Sequence, residues 1–267
     1  MLKLVLGMAS KVSKGRILIL GGTFEARQLA DHAAKHNWDA IVSLAGRTTP
    51  SKPTHLPLRI GGFGGSDGLA QYITDQAITL LLDATHPFAT TISANAATAA
   101  KKTATPRLAL NRPPWQAQAD DNWQHYPSFA AMCQDIPKDA HVFIAGGQEA
   151  IRVFANPSTP DFTPHFTMSA RGLSPPPTDL APPDCFANFI CGMPATSADD
   201  EARLFTSLAI THLIVKNAGG SADAKLIAAR NLGIPVLLLQ RPPPPPPPCY
   251  LDVASLLEAI KHAMLNS

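Results

Sequence analysis

The sequence predicts an α/β fold with parallel sheets, organised as two domains. Short apolar segments alternate with amphipathic segments along the chain, a pattern typical of parallel strands joined by crossover helices. Several apolar segments run directly into glycine turns, and the alternation restarts after Arg112. A chain of 267 residues with 45% hydrophobic residues is large enough to bury two cores of this kind.

The first half of the chain is predicted to hold the first sheet. Strands are expected where short apolar runs are bounded by turn residues, at 16–20, 39–45, 56–60, 78–82 and 107–110. Helices are expected at 23–36, 66–76 and 87–101. Pro87 suits the first turn of the third helix, because proline lacks an N–H that this turn leaves unpaired.

The second half repeats the alternation with shorter units. Strands are predicted at 141–145, 164–169, 212–215 and 234–239, and helices at 147–154, 197–208, 221–232 and 252–265. The predicted boundaries are an N-terminal extension over 1–15, a first domain over 16–112 and a second domain over 113–267. Two proline-rich stretches, Pro175–Pro183 and 242–248, are expected at the surface, the latter as a stiff spacer before the last helix.

Composition excludes several classes of function. A formal charge of +2 without a Lys/Arg run argues against nucleic-acid binding, and no apolar run approaches the roughly 20 residues that cross a bilayer. The four cysteines lack zinc-type spacing, so no metal site is expected and the thiols are interpreted as reduced and cytoplasmic. Short-chain dehydrogenase and hydrolase motifs are absent from the sequence.

A glycine turn joins the first predicted strand to the first helix. Gly21 and Gly22 allow a sharp turn and a close approach to a ligand, and the helix that begins near Thr23 presents N–H groups and a positive dipole end to an anion. The G-x-G-x-x-G fingerprint is incomplete, because Thr23 and Ala26 occupy its second and third glycine positions. Two interpretations stay open: a dinucleotide phosphate site, and an ordinary tight turn.

The end of the second strand indicates which dinucleotide this turn would hold. An Asp or Glu there would bond a free ribose 2′-hydroxyl, whereas the segment carries Ser43, Arg47 and Thr48. A guanidinium and two hydroxyls suit a 2′-phosphate. The pattern favours NADP over NAD, with a solvated loop charge as the alternative for Arg47.

Two further segments follow predicted strands. Gly61, Gly62 and Phe63 open a stretch with four glycines in five positions, which suits either close approach of a cofactor or a flexible connection. Thr85 and His86 come at the carboxyl end of a strand, where open α/β sheets bind ligands. His86 is a candidate donor to cofactor or substrate, and helix capping is its structural alternative.

Another glycine turn follows an apolar strand in the second half. It contains Lys216, Asn217, Gly219 and Gly220. A cation beside exposed N–H groups is a good receptor for a carboxylate or phosphate. The spacing is not that of a Walker A loop, and a charged loop without a ligand is the alternative.

Taken together, these segments resemble the precorrin-6A reductase family of cobalamin biosynthesis. The shared motifs are GGTFEAR, SLAGR, GGFGG, DATHPFA, NRPPW, VKNAGG, AKLIAARNLGIPV and QRP, in the expected order from about residue 16 to 242. The resemblance implies two Rossmann-like domains with the active site in the cleft between them. It also implies NADPH-dependent reduction of a carbon–carbon double bond of precorrin-6A, or of its cobalt form, to precorrin-6B.

The resemblance and the strand-end argument divide the candidate residues into two groups. Cofactor contacts are expected from Gly21, Gly22, Thr23, Ser43, Arg47, Thr48, Gly61, Gly62, Phe63, Thr85 and His86. Substrate contacts are expected from Arg112, Trp115, Lys216, Asn217, Gly219 and Gly220, with Trp115 stacking on the macrocycle. Further candidate cations for the substrate carboxylates are Arg152, Arg171 and Arg241, each with a solvated surface charge as the alternative.

No proton donor is assigned by the sequence. His86, Lys216 and bulk water are the candidates. The family commonly carries KNSGG where this chain has Ala218, so a hydroxyl contact is lost there. A two-domain nucleotide-sugar transferase and a non-catalytic NADP-sensing protein are the alternatives to the reductase, and transient contact with neighbouring pathway enzymes is left open.

Overall fold

Two six-stranded parallel sheets organise the chain, which confirms the predicted fold class. The structure is a computed structural model that describes residues 15–46, 55–155, 165–173, 175, 185–221 and 223–265. The chain divides into two compact units, the first from the described parts of Met1–Arg112 and Pro243–Ser267, and the second from Pro113–Pro242. Arg47, Thr48, residues 1–14 and most of Pro175–Pro183 lie outside the described residues.

Strands and helices alternate through most of the chain. In order they are β1 (Arg16–Leu20), α1 (Phe24–Lys35), β2 (Ala40–Leu44), β3 (Leu58–Ile60), α2 (Gly65–Asp75), β4 (Ile78–Asp83), α3 (Thr90–Thr103), β5 (Arg107–Leu110), β6 (Trp123–Tyr126), α4 (Phe129–Asp135), β7 (His141–Ala145), α5 (Gly147–Ala155), β8 (Thr167–Gly172), β9 (Asn188–Cys191), α6 (Ala198–Ser207), β10 (His212–Lys216), α7 (Ala224–Asn231), β11 (Val236–Leu239), β12 (Cys249–Tyr250) and α8 (Val253–Leu265). The first sheet has the order β12-β5-β4-β1-β2-β3 and the second β6-β11-β10-β7-β8-β9.

The central strand of the first sheet is buried on both faces. Ile17 and Ile19 pack in one apolar cluster with residues of α1 and α8, whereas Leu18 and Leu20 pack in another with residues of α2 and α3. Because side chains alternate across a strand, a continuous apolar run is what a doubly covered parallel strand requires. None of the helices in the described residues is long and apolar enough to span a membrane.

The C-terminal segment belongs to the first unit, which corrects the boundary predicted at 113–267. Cys249 and Tyr250 pair in parallel with β5, and Leu256 and Ile260 of α8 are fully buried in the cluster shared with α1. The proline run before them is more than a spacer. Arg107 donates to the carbonyl of Pro246, so the run is fastened to the edge of the sheet.

Several local predictions also differ from the structure. The helix expected at 87 begins at Thr90, because the Ala89 amide donates to the His86 carbonyl at 2.7 Å and residues before Thr90 form a turn. The strand expected at 164–169 is displaced to β8 and ends at Gly172. The strands β6, β9 and β12 and the helix α4 were not predicted.

Candidate functional site

The predicted cofactor residues that the structure describes lie at one edge of the first sheet. The Gly21 amide donates to the Ser43 carbonyl at 2.9 Å, the Ala84 amide to the Leu20 carbonyl at 3.0 Å, and the Gly61 amide to the Leu44 carbonyl at 2.9 Å. These bonds join the ends of β1, β2, β3 and β4. The carboxyl edge of a parallel sheet is where such folds bind ligands.

Thr23 is the N-cap of α1. Its hydroxyl accepts from the Ala26 amide at 3.0 Å and donates to the Ala84 carbonyl at 2.8 Å. Since a hydroxyl has one proton, a phosphate at this turn would be bound by the amides of the first helical turn rather than by the threonine proton. Gly22, with φ of 111°, provides the turn that only glycine adopts readily.

Arg59, which the sequence reasoning missed, organises the glycine loop that follows β3. Its guanidinium donates to the carbonyls of Gly61 and Gly62 at 2.5 and 2.7 Å and lies 3.7 Å from the centroid of the Phe63 ring. It also approaches the Ser43 hydroxyl at 3.4 Å. A cation is therefore fixed at the ends of β2 and β3, beside the strand end where a 2′-phosphate was expected.

The turn after β4 is built on a buried carboxylate. Asp83 is 2% exposed, and its Oδ1 accepts from the amide and the hydroxyl of Thr85 at 3.3 and 2.7 Å. Its Oδ2 has no hydrogen-bond donor and lies 3.7 Å from an Arg107 nitrogen. The Nδ1 of His86 accepts from the Phe88 amide at 3.3 Å, so the neutral ring carries its proton on Nε2.

A cavity of about 420 Å³ opens beside this turn. Polar groups of Asp83, Thr85, His86 and Asn111 line it, together with the apolar surface of Pro243–Pro246. The volume lies in the range of small-molecule pockets, ~300–1,000 Å³. The proline run therefore forms part of a pocket wall, a role that its composition did not reveal.

Arg112 lies at the end of β5 and is bound within the first unit. It forms an ion pair with Glu25 of α1 at 2.7 Å, with both side chains less than one-fifth exposed. Burial lowers the pKa of Arg112, and the Glu25 charge raises it. Substrate binding by Arg112 stays a prediction, and in this structure the residue ties α1 to β5.

The second unit brings Lys216, Asn217, Gly219, Gly220 and Trp115 together. Asn217 is 7% exposed, and its Oδ1 accepts from the Trp115 amide at 2.8 Å while its Nδ2 donates to the Trp115 carbonyl at 3.3 Å. The indole N–H donates to the Gly220 carbonyl at 2.8 Å. Lys216 forms an ion pair with Glu149 at 2.6 Å.

The other candidate cations have different surroundings. Arg241 donates to the Ala218 carbonyl at 2.8 Å, so it supports the glycine turn. Arg152 is exposed on α5. Arg171 is 8% exposed and bonds both oxygens of the fully buried Glu201 at 2.7 and 2.9 Å. This burial argues for a structural role of Arg171 in place of a rim cation.

Comparisons with known proteins agree on one family. The family model of the Precorrin-6x reductase CbiJ/CobK matches residues 16–262. The "Precorrin-6A reductase" of Rhodobacter capsulatus is 43% identical over 228 residues, which cover 85% of this chain and 88% of that protein. The "Cobalt-precorrin-6A reductase" of Priestia megaterium is 29% identical over 262 residues, with 94% and 98% covered.

A solved structure supports the same assignment. The structure described as "CobK precorrin-6A reductase" aligns with a TM-score of 0.84 at 39% identity, covering 93% of this chain and 97% of that one. The match extends through both units and the C-terminal segment. It confirms the resemblance drawn from the ordered motifs, and the chain belongs to the precorrin-6x reductase CbiJ/CobK family of oxidoreductases.

Proposed function

We propose that this protein reduces precorrin-6A to precorrin-6B in cobalamin biosynthesis, with NADPH as the hydride donor. The observation that carries the proposal is the family match over residues 16–262, which includes every loop of the candidate site. The metal-free substrate is favoured over its cobalt form, because identity is 43% to a relative named for precorrin-6A and 29% to one named for cobalt-precorrin-6A.

The residues of the first unit fit a dinucleotide. The amides at the start of α1 and the glycine turn before it suit a pyrophosphate, and the cation of Arg59 lies at the adjacent strand ends. The cavity beside β4 and β5 is lined by the polar side chains of Thr85, His86 and Asn111, which suit the polar groups of a ligand. When bound, the nicotinamide supplies the hydride that the side chains cannot provide.

The chain's own groups then have three tasks. They would hold the macrocycle next to the nicotinamide carbon that gives up the hydride, keep water out of the site and provide a proton. The loop of Lys216 and Asn217 with Trp115 offers a cation and an aromatic ring to a substrate that carries carboxylates. His86 is the proton-donor candidate that the turn after β4 presents, and it would deliver a proton as the imidazolium ion.

The proposal is tested by anaerobic stopped-flow mixing of the protein, NADPH and purified precorrin-6A. Absorbance at 340 nm is expected to fall with formation of precorrin-6B, and NADPH without tetrapyrrole is expected to be stable. A parallel reaction with cobalt-precorrin-6A is expected to be slower. NADPH binding without turnover of either tetrapyrrole would contradict the proposed activity.

Two arginines are predicted to affect the cofactor differently. Arg47→Ala is expected to weaken the binding of NADPH by about 1.5–3 kcal/mol and the binding of NADH far less, because a charge-assisted contact to the 2′-phosphate is lost. Arg59→Ala is expected to weaken both by a similar factor, since its guanidinium holds the Gly61 and Gly62 carbonyls. Calorimetric titration of NADPH and NADH into each variant measures these changes in binding free energy. Equal losses for Arg47→Ala would place that residue away from the 2′-phosphate.

A further inference from the structure

A buried lysine lies against the indole ring of Trp115. Lys225, in the first turn of α7, is 7% exposed, and its Nζ is 4.9 Å from the centroid of the ring. A cation at this distance is attracted to the electron-rich face of indole, and the attraction grows when water is excluded.

Hydrogen bonds hold the edge of the Trp115 ring and its backbone, and they leave the tilt of the ring about its N–H to the groups that face it. The indole N–H is bonded to Gly220, and the amide and carbonyl of Trp115 are both bonded to Asn217. The side chain is nevertheless only half-buried. Trp115 also packs against the apolar cluster of the second unit, so only the remaining exposed part of the ring can be offered to a ligand.

The charge on Lys225 lies in a cluster whose carboxylate is already strongly engaged. Glu201 is fully buried, accepts from Arg171 through both oxygens, and takes a third bond from the Ala195 amide at 2.7 Å. The buried part of the cluster thus holds two cations, Arg171 and Lys225, against one anion. Glu201 also attracts the Lys225 ammonium and raises its pKa, so the lysine interacts with this carboxylate on one side and with the indole ring on the other.

We propose that Lys225 is a positioning residue that acts on the tetrapyrrole through Trp115. The ammonium holds the plane of the indole ring, and the conjugated macrocycle stacks on the accessible part of that ring. The inference rests on the proposed function. Lys225 would not contact the substrate itself. Through Trp115 it would increase the affinity for the macrocycle and leave the affinity for the dinucleotide unchanged.

The proposal has a consequence for pH. Burial lowers the pKa of Lys225 to about 8, while Glu201 and Asp223 raise it and Arg171 lowers it further. The cation is therefore held below about pH 8 and lost above it. KM for precorrin-6A should rise as pH increases from 7 to 9, and Lys225→Arg should remove that part of the rise, because arginine stays charged throughout.

The test compares Lys225→Met and Lys225→Arg at pH 7 and 9, in the wild-type and Trp115→Leu backgrounds. At pH 7 Lys225→Met is expected to raise KM and Kd for precorrin-6A about 5- to 20-fold, with kcat changed less than about 2-fold and NADPH affinity unchanged. In the Trp115→Leu background the same substitution should change KM less than about 2-fold. Kd is measured by the visible absorbance of precorrin-6A without NADPH.

Controls separate positioning from folding and from the activity itself. Arg230→Met, also in α7 and ion-paired with Asp121, should lower stability without changing KM. An equal KM increase from Lys225→Met in both backgrounds would overturn the proposal, as would a pH profile that Lys225→Arg leaves unchanged. If Lys225→Met fails to fold, the Lys225→Arg profile decides. Failure of the wild-type protein to bind or reduce precorrin-6A would instead reject the proposed function.

Discussion

Arg171→Met is expected to lower the free energy of unfolding of the second unit by about 3–5 kcal/mol, the cost of removing one partner of a buried ion pair. Arg171 and Glu201 are 8% and 0% exposed, so water cannot replace the lost guanidinium. The Ala195 amide would be left as a neutral donor to a buried carboxylate. Lys225 would then be the remaining buried cation in the cluster.

A second substitution distinguishes lost charge balance from lost packing. Glu201→Gln added to Arg171→Met removes the uncompensated anion and keeps an oxygen for the Ala195 amide, so at least half of the stability should return. The two removed charges act oppositely on Lys225, which leaves its electrostatic surroundings nearly unchanged. A double variant as unstable as the sum of its single variants would contradict this account.

An exposed pair on α6 is the matched control. Arg203 and Asp200 are also ion-paired, but their side chains are 74% and 51% exposed, so Arg203→Met should cost less than about 0.5 kcal/mol. Urea unfolding followed by tryptophan fluorescence measures the free energies of unfolding of the Arg171→Met and Arg203→Met variants. In a Trp38→Phe background the remaining tryptophans, Trp115 and Trp123, both report on the second unit.

The elements that the sequence predicted are those with a local signal. A continuous apolar run such as 17–20 predicts a strand covered on both faces, and the glycine turns after β1 and β10 follow such runs. The predicted helix start at Thr23 is supported by its capping bond. Local chemistry of this kind depends on neighbours within a few residues, which periodicity and residue type report directly.

Elements defined by distant contacts were missed. β12 contains two residues, and its place is set by pairing with β5, about 140 positions earlier in the chain. β6 carries the alternating polar sequence Trp-Gln-His-Tyr of an edge strand. Neither segment has the apolar continuity that indicates a central strand. Because β12 was missed, the helix that follows it was assigned to the second unit instead of the first.

Charged residues limited prediction of the site in the same way. Arg59 and Lys225 look like surface charges in sequence, because their partners are backbone carbonyls and an indole ring. Arg171 extends β8 past the predicted end at residue 169, since Glu201 neutralises it in the interior. A buried charge is detectable only when its partner is known, and the partner lies on another element.

The glycine turn of the second unit gives the other large expected effect. Gly219→Ala should destabilise the second unit by about 3 kcal/mol or more, since two costs add. Its φ is +67°, and a Cβ there would lie 1.9 Å from the Pro113 carbonyl oxygen. The clashing atom belongs to the backbone, so the Pro113–Trp115 segment must move away from the turn.

Gly233 separates these two costs. Its φ is +66°, yet a Cβ there meets no atom within 4 Å, so Gly233→Ala should cost only the left-handed backbone penalty of about 1–2 kcal/mol. Urea midpoints give the difference between the two variants. Because Trp115 follows Pro113, Gly219→Ala should also raise KM for precorrin-6A while Gly233→Ala leaves it unchanged. Equal stability losses would mean that the close approach at Pro113 contributes nothing to the turn.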